Sequence, residues 1–132
     1  AYVEIEKARF GDKLNVVYNI DEDLDIKIPS LIIQPLVENS IKHGILVDSN
    51  RGTVKIDIKK INDNSVSIII EDDGIGIPEE VINKVYENKM QENKIGICNV
   101  NNRLKYIYGK GLKIERLNRG TRVSFMVETK KG

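Results

Sequence analysis

The 132-residue chain has one cysteine, one histidine, three prolines and no tryptophan. A lone Cys98 cannot close an internal disulfide, so a reducing compartment is the default. With His43 as the only histidine, no zinc-ligand set can be assembled. There is no excess of one charge: 21 Lys and Arg against 20 Asp and Glu leave +1. Nucleic-acid binding draws on a cationic surplus that displaces counterions, and stacking on bases draws on aromatics, of which five Tyr and two Phe are too few to line a surface. No apolar run approaches the roughly 20 residues of a bilayer span, and the N-terminus lacks a charged-then-apolar leader. A nucleic-acid partner and direct membrane contact are thus both set aside.

What is present describes one domain over residues 1–132, with 40% hydrophobic and 31% charged residues. Residues 1–10 carry Val3, Ile5, Ala8 and Phe10 among charges and read as the end of a helix closed by Gly11. The chain opens on Ala1 within this helical pattern, which suggests a piece of something longer. Residues 13–20 are β-branched and read as a strand, and an acidic turn follows. Pro29-Ser30 opens a helix over 31–43, with Pro35 admitted to its first turn and Gly44 as its stop.

Alternation at Val54, Ile56 and Ile58, and again at Val66, Ile68 and Ile70, predicts two strands joined as a hairpin at residues 62–64. Pro78 with Glu79 and Glu80 starts a short helix to Tyr86, and a polar stretch covers 87–94. Helical periodicity runs over 97–108 to Gly109, and a final strand pair, 112–117 and 121–127, turns at residues 118–120. Hairpins interrupted by amphipathic helices predict an α+β fold, a two-layer sandwich with a mixed, mainly antiparallel sheet and the helices on one face.

Four places could carry chemistry. Asn39, Lys42 and His43 stand at i, i+3 and i+4 and so share a helix face, which fits either a cavity wall or a solvated surface. Asp72-Asp73-Gly74-Ile75-Gly76-Ile77-Pro78 ends an apolar strand on an acid, then places two glycines where backbone can approach a ligand. A buried carboxylate there needs donors, and the amino group of adenine is one; a plain turn is the alternative. Lys94-Ile95-Gly96-Ile97-Cys98-Asn99 meets a helix start whose N–H groups can take phosphate oxygens. Gly120-Thr121 offers a hydroxyl that could support Asp72, although Thr at a strand start is common. The dinucleotide fingerprint, the Walker Gly-Lys-Ser/Thr and the calcium-loop spacing are all lacking.

In order, VENSIKHG, DDGIGIP, KIGICNVNNRL and RGTRV resemble the N, G1 and G2 boxes and the closing Gly-Thr of the GHKL ATPase superfamily. The flanking EIEKARFGDKL and IPSLIIQPLVENSIKHG resemble the LytS/YesM type of sensor histidine kinase, so the likeness spans residues 3–127. It implies a Bergerat-type sandwich that binds Mg-ATP under a lid, here residues 87–94, and transfers the γ-phosphate to a histidine on a separate dimerisation domain. By resemblance, Asn39 gives its amide oxygen to Mg²⁺, Lys42 contacts phosphates and His43 lies along the nucleotide. Asp72 accepts from the adenine amine with Thr121 and a water in support; Gly74, Gly76 and Ile77 close on the base. Gly96, Ile97 and Asn99 meet the phosphates.

Two positions depart from the family pattern. Hydrolytic members carry a general-base Glu four residues before the magnesium Asn, where this chain has Pro35, so fast hydrolysis is not expected. Glu38, beside Asn39, belongs to the kinase branch's pattern and is the one candidate catalytic carboxylate. Lys94 replaces a usual glycine and either adds a cation beside the phosphates or is simply tolerated in a lid. The implied setting is the cytoplasmic side of a membrane-bound sensor. Residues 1–11 are then the end of a linker helix from an upstream phosphoacceptor domain, the parent is a homodimer, and a response regulator is its indirect partner. Alone, the chain is expected to be monomeric and unable to phosphorylate itself. The alternatives are a GHKL protein serine kinase and a docking module that has lost its chemistry.

Overall fold

A computed structural model describes residues 14–21, 30–41, 52–87 and 95–128. Five strands form one sheet: β1 (Leu14–Ile20), β2 (Gly52–Asn62), β3 (Ser65–Asp72), β4 (Lys113–Arg116) and β5 (Thr121–Glu128), in the order β1-β2-β3-β5-β4. Among the described residues three helices accompany it: α1 (Ser30–Asn39), α2 (Glu79–Tyr86) and α3 (Ile95–Tyr108). The expected α+β sandwich is what forms. β1 runs parallel to β2, with α1 between them in the chain, and every other pairing is antiparallel. The expected linker helix over 1–11 lies outside the described residues, as does most of the expected lid.

Period-two alternation explains the sheet's two faces. Val54, Ile56 and Ile58 of β2, Val66, Ile68 and Ile70 of β3, and Val123, Phe125 and Val127 of β5 are all buried. They meet Leu36, Val37 and Ile41 after the first turns of α1, Ile82 and Val85 of α2, and Ile97, Val100 and Leu104 of α3 in one aliphatic core. α3 lies against both other helices. The opposite face is polar, with Arg122 of β5 between Glu71 at 3.2 Å and Glu115 at 4.0 Å. Half-exposed pairs of this kind contribute about 0–1 kcal/mol each.

Local signals act where the sequence places them. The β2–β3 hairpin turns on Asp63 and Asn64, whose N–H donates to Asn62 Oδ1 at 2.8 Å. Ile61 is the extra residue of a bulge just before it. Pro78 precedes α2 with φ −59° and ψ 147°, and Glu79 and Glu80 complement the helix dipole. The Gly109 N–H donates to Lys105 O at 2.9 Å and ends α3.

One expectation is corrected. Pro35 is not in the first turn of α1 but is its sixth residue, because the helix starts at Ser30, directly after Pro29. It removes one backbone donor from the second turn. The helix also leaves α geometry after Asn39 and widens to π spacing at Ser40 and Ile41. The shared face expected of Asn39, Lys42 and His43 falls in part on residues that are not described. Lys42 and His43 themselves lie outside the described residues.

Candidate nucleotide site

β3 ends on its core-facing row with Asp72, after Val66, Ile68 and Ile70. The acid thus occupies a position that alternation reserves for an aliphatic, and it is only 5% exposed. Its neighbours in register are Val54 of β2 and Thr121 of β5. Such a carboxylate is costly unless donors surround it. Gly74 N–H donates to Asp72 Oδ1 at 2.9 Å, and the Ser40 hydroxyl and Thr121 N–H also donate to the carboxylate.

Burial nevertheless wins, and the Asp72 pKa is raised above the ordinary carboxylate value, with the nearby Asp73 charge a lesser cause in the same direction. The three hydrogen bonds oppose this without cancelling it. The folded chain therefore holds this proton more tightly than the unfolded chain. The burial cost is absent below the ordinary carboxylate pKa and is fully present above the raised one. A carboxylate has about four acceptor positions, so three donors from its own fold leave capacity for one more from a ligand.

The loop after Asp72 is fastened on three sides. Asp73 Oδ1 accepts from Thr53 N–H at 2.8 Å, which ties it to the start of β2. Ile77 N–H donates to Thr121 Oγ1 at 2.9 Å. Gly76 has φ +80°, and a Cβ there would stand 3.0 Å from Gly120 O and 3.6 Å from the Arg116 side chain. Gly120 has φ +94°, and a Cβ there would run into the Asp72 carbonyl. Both glycines are required by conformation and by contact.

Asp72, Gly74, Gly76, Ile77 and Thr121 converge at one end of the sheet. Thr121 supports Asp72 through its backbone, while its hydroxyl is occupied by Ile77, which differs from the expected hydroxyl support. A hydroxyl that accepts one N–H still has its own proton to donate. The Ile77 side chain is buried in the core, so only its backbone is at the loop surface.

Asn39 is half-buried in the last turn of α1, one residue from Ser40. Glu38 accepts from Gln34 Nε2 at 3.1 Å along the same helix. Gly96 lies in the first turn of α3, Ile97 is buried in the core and Asn99 is exposed. Lys94, with Lys42 and His43, falls outside the described residues.

Ser40 and Gly120 are the site residues that sequence reasoning missed as such. Ser40 had no signal of its own beyond its place after Asn39, since its aim at Asp72 depends on the π-turn. Gly120 is legible as a turn residue and as the glycine of the closing Gly-Thr, but not in its contact with Asp72. A recess of about 410 Å³ lined by Ile69, Tyr108, Lys113 and Met126 contains none of the motif residues.

Comparison with known proteins agrees with this geometry. Residues 25–131 match the family described as histidine kinase-, DNA gyrase B- and HSP90-like ATPase. The chain is similar to the sensor histidine kinase YpdA of Escherichia coli (strain K12), with 50% identity over 126 residues that cover 96% of this chain and 22% of that protein. It is also similar to the sensor protein LytS of Oceanobacillus iheyensis, with 37% identity over 135 residues, 96% of this chain and 23% of that one. The chain thus spans under a quarter of the length of these relatives. Among solved structures, the catalytic domain of histidine kinase ThkA has the same fold, with a TM-score of 0.72 at 19% identity, covering 96% of this chain and 87% of that chain. A buried, donor-ringed acid at a strand end, a positive-φ glycine loop and this kinship lead to one assignment: the chain belongs to the histidine kinase-, DNA gyrase B- and HSP90-like ATPase family.

Proposed function

We propose that this domain binds Mg-ATP with its adenine on Asp72 and passes the γ-phosphate to a histidine on a separate dimerisation domain of the parent kinase. The observation that carries the reading is the Asp72 carboxylate, buried and still raised in pKa beside three donors of its own fold. The adenine amino group supplies the further donor. Guanine would turn a carbonyl oxygen toward the same carboxylate, leaving two acceptors face to face. The Thr121 hydroxyl accepts from Ile77 N–H and keeps its own proton to donate.

Mg²⁺ fits the donors present. No group of three or more His, Cys, Asp or Glu side chains gathers among the described residues, and Mg²⁺ characteristically takes one or two protein oxygens and completes its shell with phosphates and water. Asn39 would offer its amide oxygen at the end of α1. The ion supplies charge neutralisation on the phosphates. Lys42, His43 and Lys94 would add contacts to the nucleotide from their own segments, and Gly96 and Asn99 would do so from the first turns of α3, where backbone N–H groups point outward.

Pro35 has no proton to move, so water is not activated from that position, and the chemistry is left to an acceptor from elsewhere. Glu38, engaged with Gln34, would steady the end of α1 and thereby Asn39. Positioning and charge neutralisation are what phosphoryl transfer chiefly requires of a protein. His43 is the only histidine in the chain and lies in the nucleotide-binding motif, so the acceptor is another domain's.

The parent would then be a homodimer joined by that domain, cytoplasmic beneath a membrane sensor, with a response regulator as the next acceptor. The test mixes this chain with the separately purified dimerisation domain and γ-labelled ATP. Label on the dimerisation domain that acid removes and base does not supports the reading. Acid-stable label would indicate a hydroxyl acceptor and a serine kinase, and label on His43 would overturn the assignment of the acceptor.

A further inference from the structure

The two edges of the sheet are finished differently. At the β4 edge, Ile114 N–H donates to the Tyr86 hydroxyl of α2 at 2.9 Å, and the strand carries Lys113, Glu115 and Arg116. Charges and a covering side chain are the usual means by which an edge avoids pairing. Among the described residues the β1 edge has neither. Its sequence, LNVVYNI, holds no charge, proline or glycine, and Val17, Tyr18 and Ile20 are 39%, 57% and 47% exposed. Its inner side is paired with β2 along its whole length, from Leu14 opposite Gly52 to Ile20 opposite Ile58. Among the described residues nothing pairs its outer side.

The strand is also a chemical palindrome. A two-fold axis through Val17, perpendicular to the sheet, sets Leu14 opposite Ile20, Asn15 opposite Asn19, Val16 opposite Tyr18, and Val17 opposite itself. In each pair both side chains point to the same face, as a continuous pleat requires. Each pair is also matched in kind: aliphatic with aliphatic, amide with amide, β-branched with aromatic. Aromatic with β-branched is among the favourable cross-strand pairs. An isologous interface demands this self-complementarity.

We infer that β1 is a self-association edge, on which a second copy of this chain adds antiparallel about Val17 to form a continuous ten-stranded sheet. The axis keeps both helical layers on one face. Tyr18, exposed in one copy, then lies against the partly buried Val16 of the other, while Leu14 stays buried within its own copy. Seven residues a side is small beside the roughly 800 Å² per partner of a stable interface, so the free chain associates weakly and is monomeric when dilute. Two copies tethered by any other domain reach an effective concentration in the millimolar range, where such an edge is populated. The inference does not depend on the nucleotide reading.

Sedimentation equilibrium of the chain from about 10 µM to about 1 mM tests it, since weak contacts are populated across that range. The average mass should climb from 15.0 kDa toward twice that value. Asn15→Lys with Asn19→Lys sets like charges opposite each other in both amide pairs and should weaken association at least about tenfold. Asn15→Lys with Asn19→Asp sets opposite charges there and should retain it. A wild-type mass that stays at one chain throughout, or equal association of both double variants, overturns the inference. Should either variant melt early, amide exchange of wild-type β1 decides: slower at the high concentration if the edge pairs, unchanged if it does not.

Discussion

Asp72 and Asn101 are both closed off from water, at 5% and 0% exposure, yet they stand in opposite relations to their surroundings. Asn101, midway along α3, accepts from Leu112 N–H at 2.8 Å and so clamps the connection into β4, while its amide Nδ2 has no partner. Gly111 leaves room for that clamp, since a Cβ there would collide with Asn101 Oδ1. The Asn101 clamp faces the interior of the fold. Asp72 is gripped by a loop and a helix end in the segments that resemble the family's G1 and N boxes. A buried polar group therefore marks a site through what holds it: donors from glycine loops and helix ends leave an approach for a ligand, and a clamp inside the core does not.

The comparison can be broken at either residue. The largest effect is expected from Gly120→Ala, which combines a strained φ with overlap on the Asp72 carbonyl. It should lower unfolding free energy by about 2–4 kcal/mol in a denaturant titration and disturb the site as well. Asn101→Ala leaves Leu112 N–H unpaired and should cost about 1–3 kcal/mol, with ATP-analogue affinity unchanged. A large loss of affinity in a folded Asn101→Ala chain would erase the distinction drawn between the two residues.

Smaller effects sharpen the account of Asp72. An adenine amine donates more strongly to the ionised carboxylate than to the protonated acid, and the pKa of Asp72 is raised. Affinity for an ATP analogue should therefore fall as pH drops through that raised value, by up to about tenfold per pH unit, starting above the ordinary carboxylate range. An Asp72→Asn chain should show no such slope. Ser40→Ala removes one of three donors and should weaken binding by about three- to tenfold while leaving the fold intact. Calorimetry on the variant, at the same pH as the wild type, checks it.

Much of the fold and of the site is legible in the amino-acid sequence alone. Asp72 announces itself by ending an apolar alternation on a charge, and Gly76 by following it where a backbone must turn. The hairpins and the helix starts at Ser30 and Glu79 are written in local chemistry, because caps, prolines and turns act over a few residues. Contacts set by tertiary packing are not legible. The Ser40 bond to Asp72 needs a π-turn that no periodicity announces, and the Thr121 hydroxyl turns to Ile77 because a loop 44 residues away in sequence arrives there. The parallel entry of β1 beside β2 is likewise a property of the assembled sheet.

The most direct test of the central claim is calorimetric titration of the purified chain with non-hydrolysable ATP and GTP analogues, with Mg²⁺, for the wild type and for Asp72→Asn. Adenine-selective binding by the wild type that drops at least about 100-fold in Asp72→Asn, with the melting temperature held or raised, is the predicted result. Equal binding of the two nucleotides, or undiminished ATP binding by Asp72→Asn, would contradict the placing of adenine on Asp72.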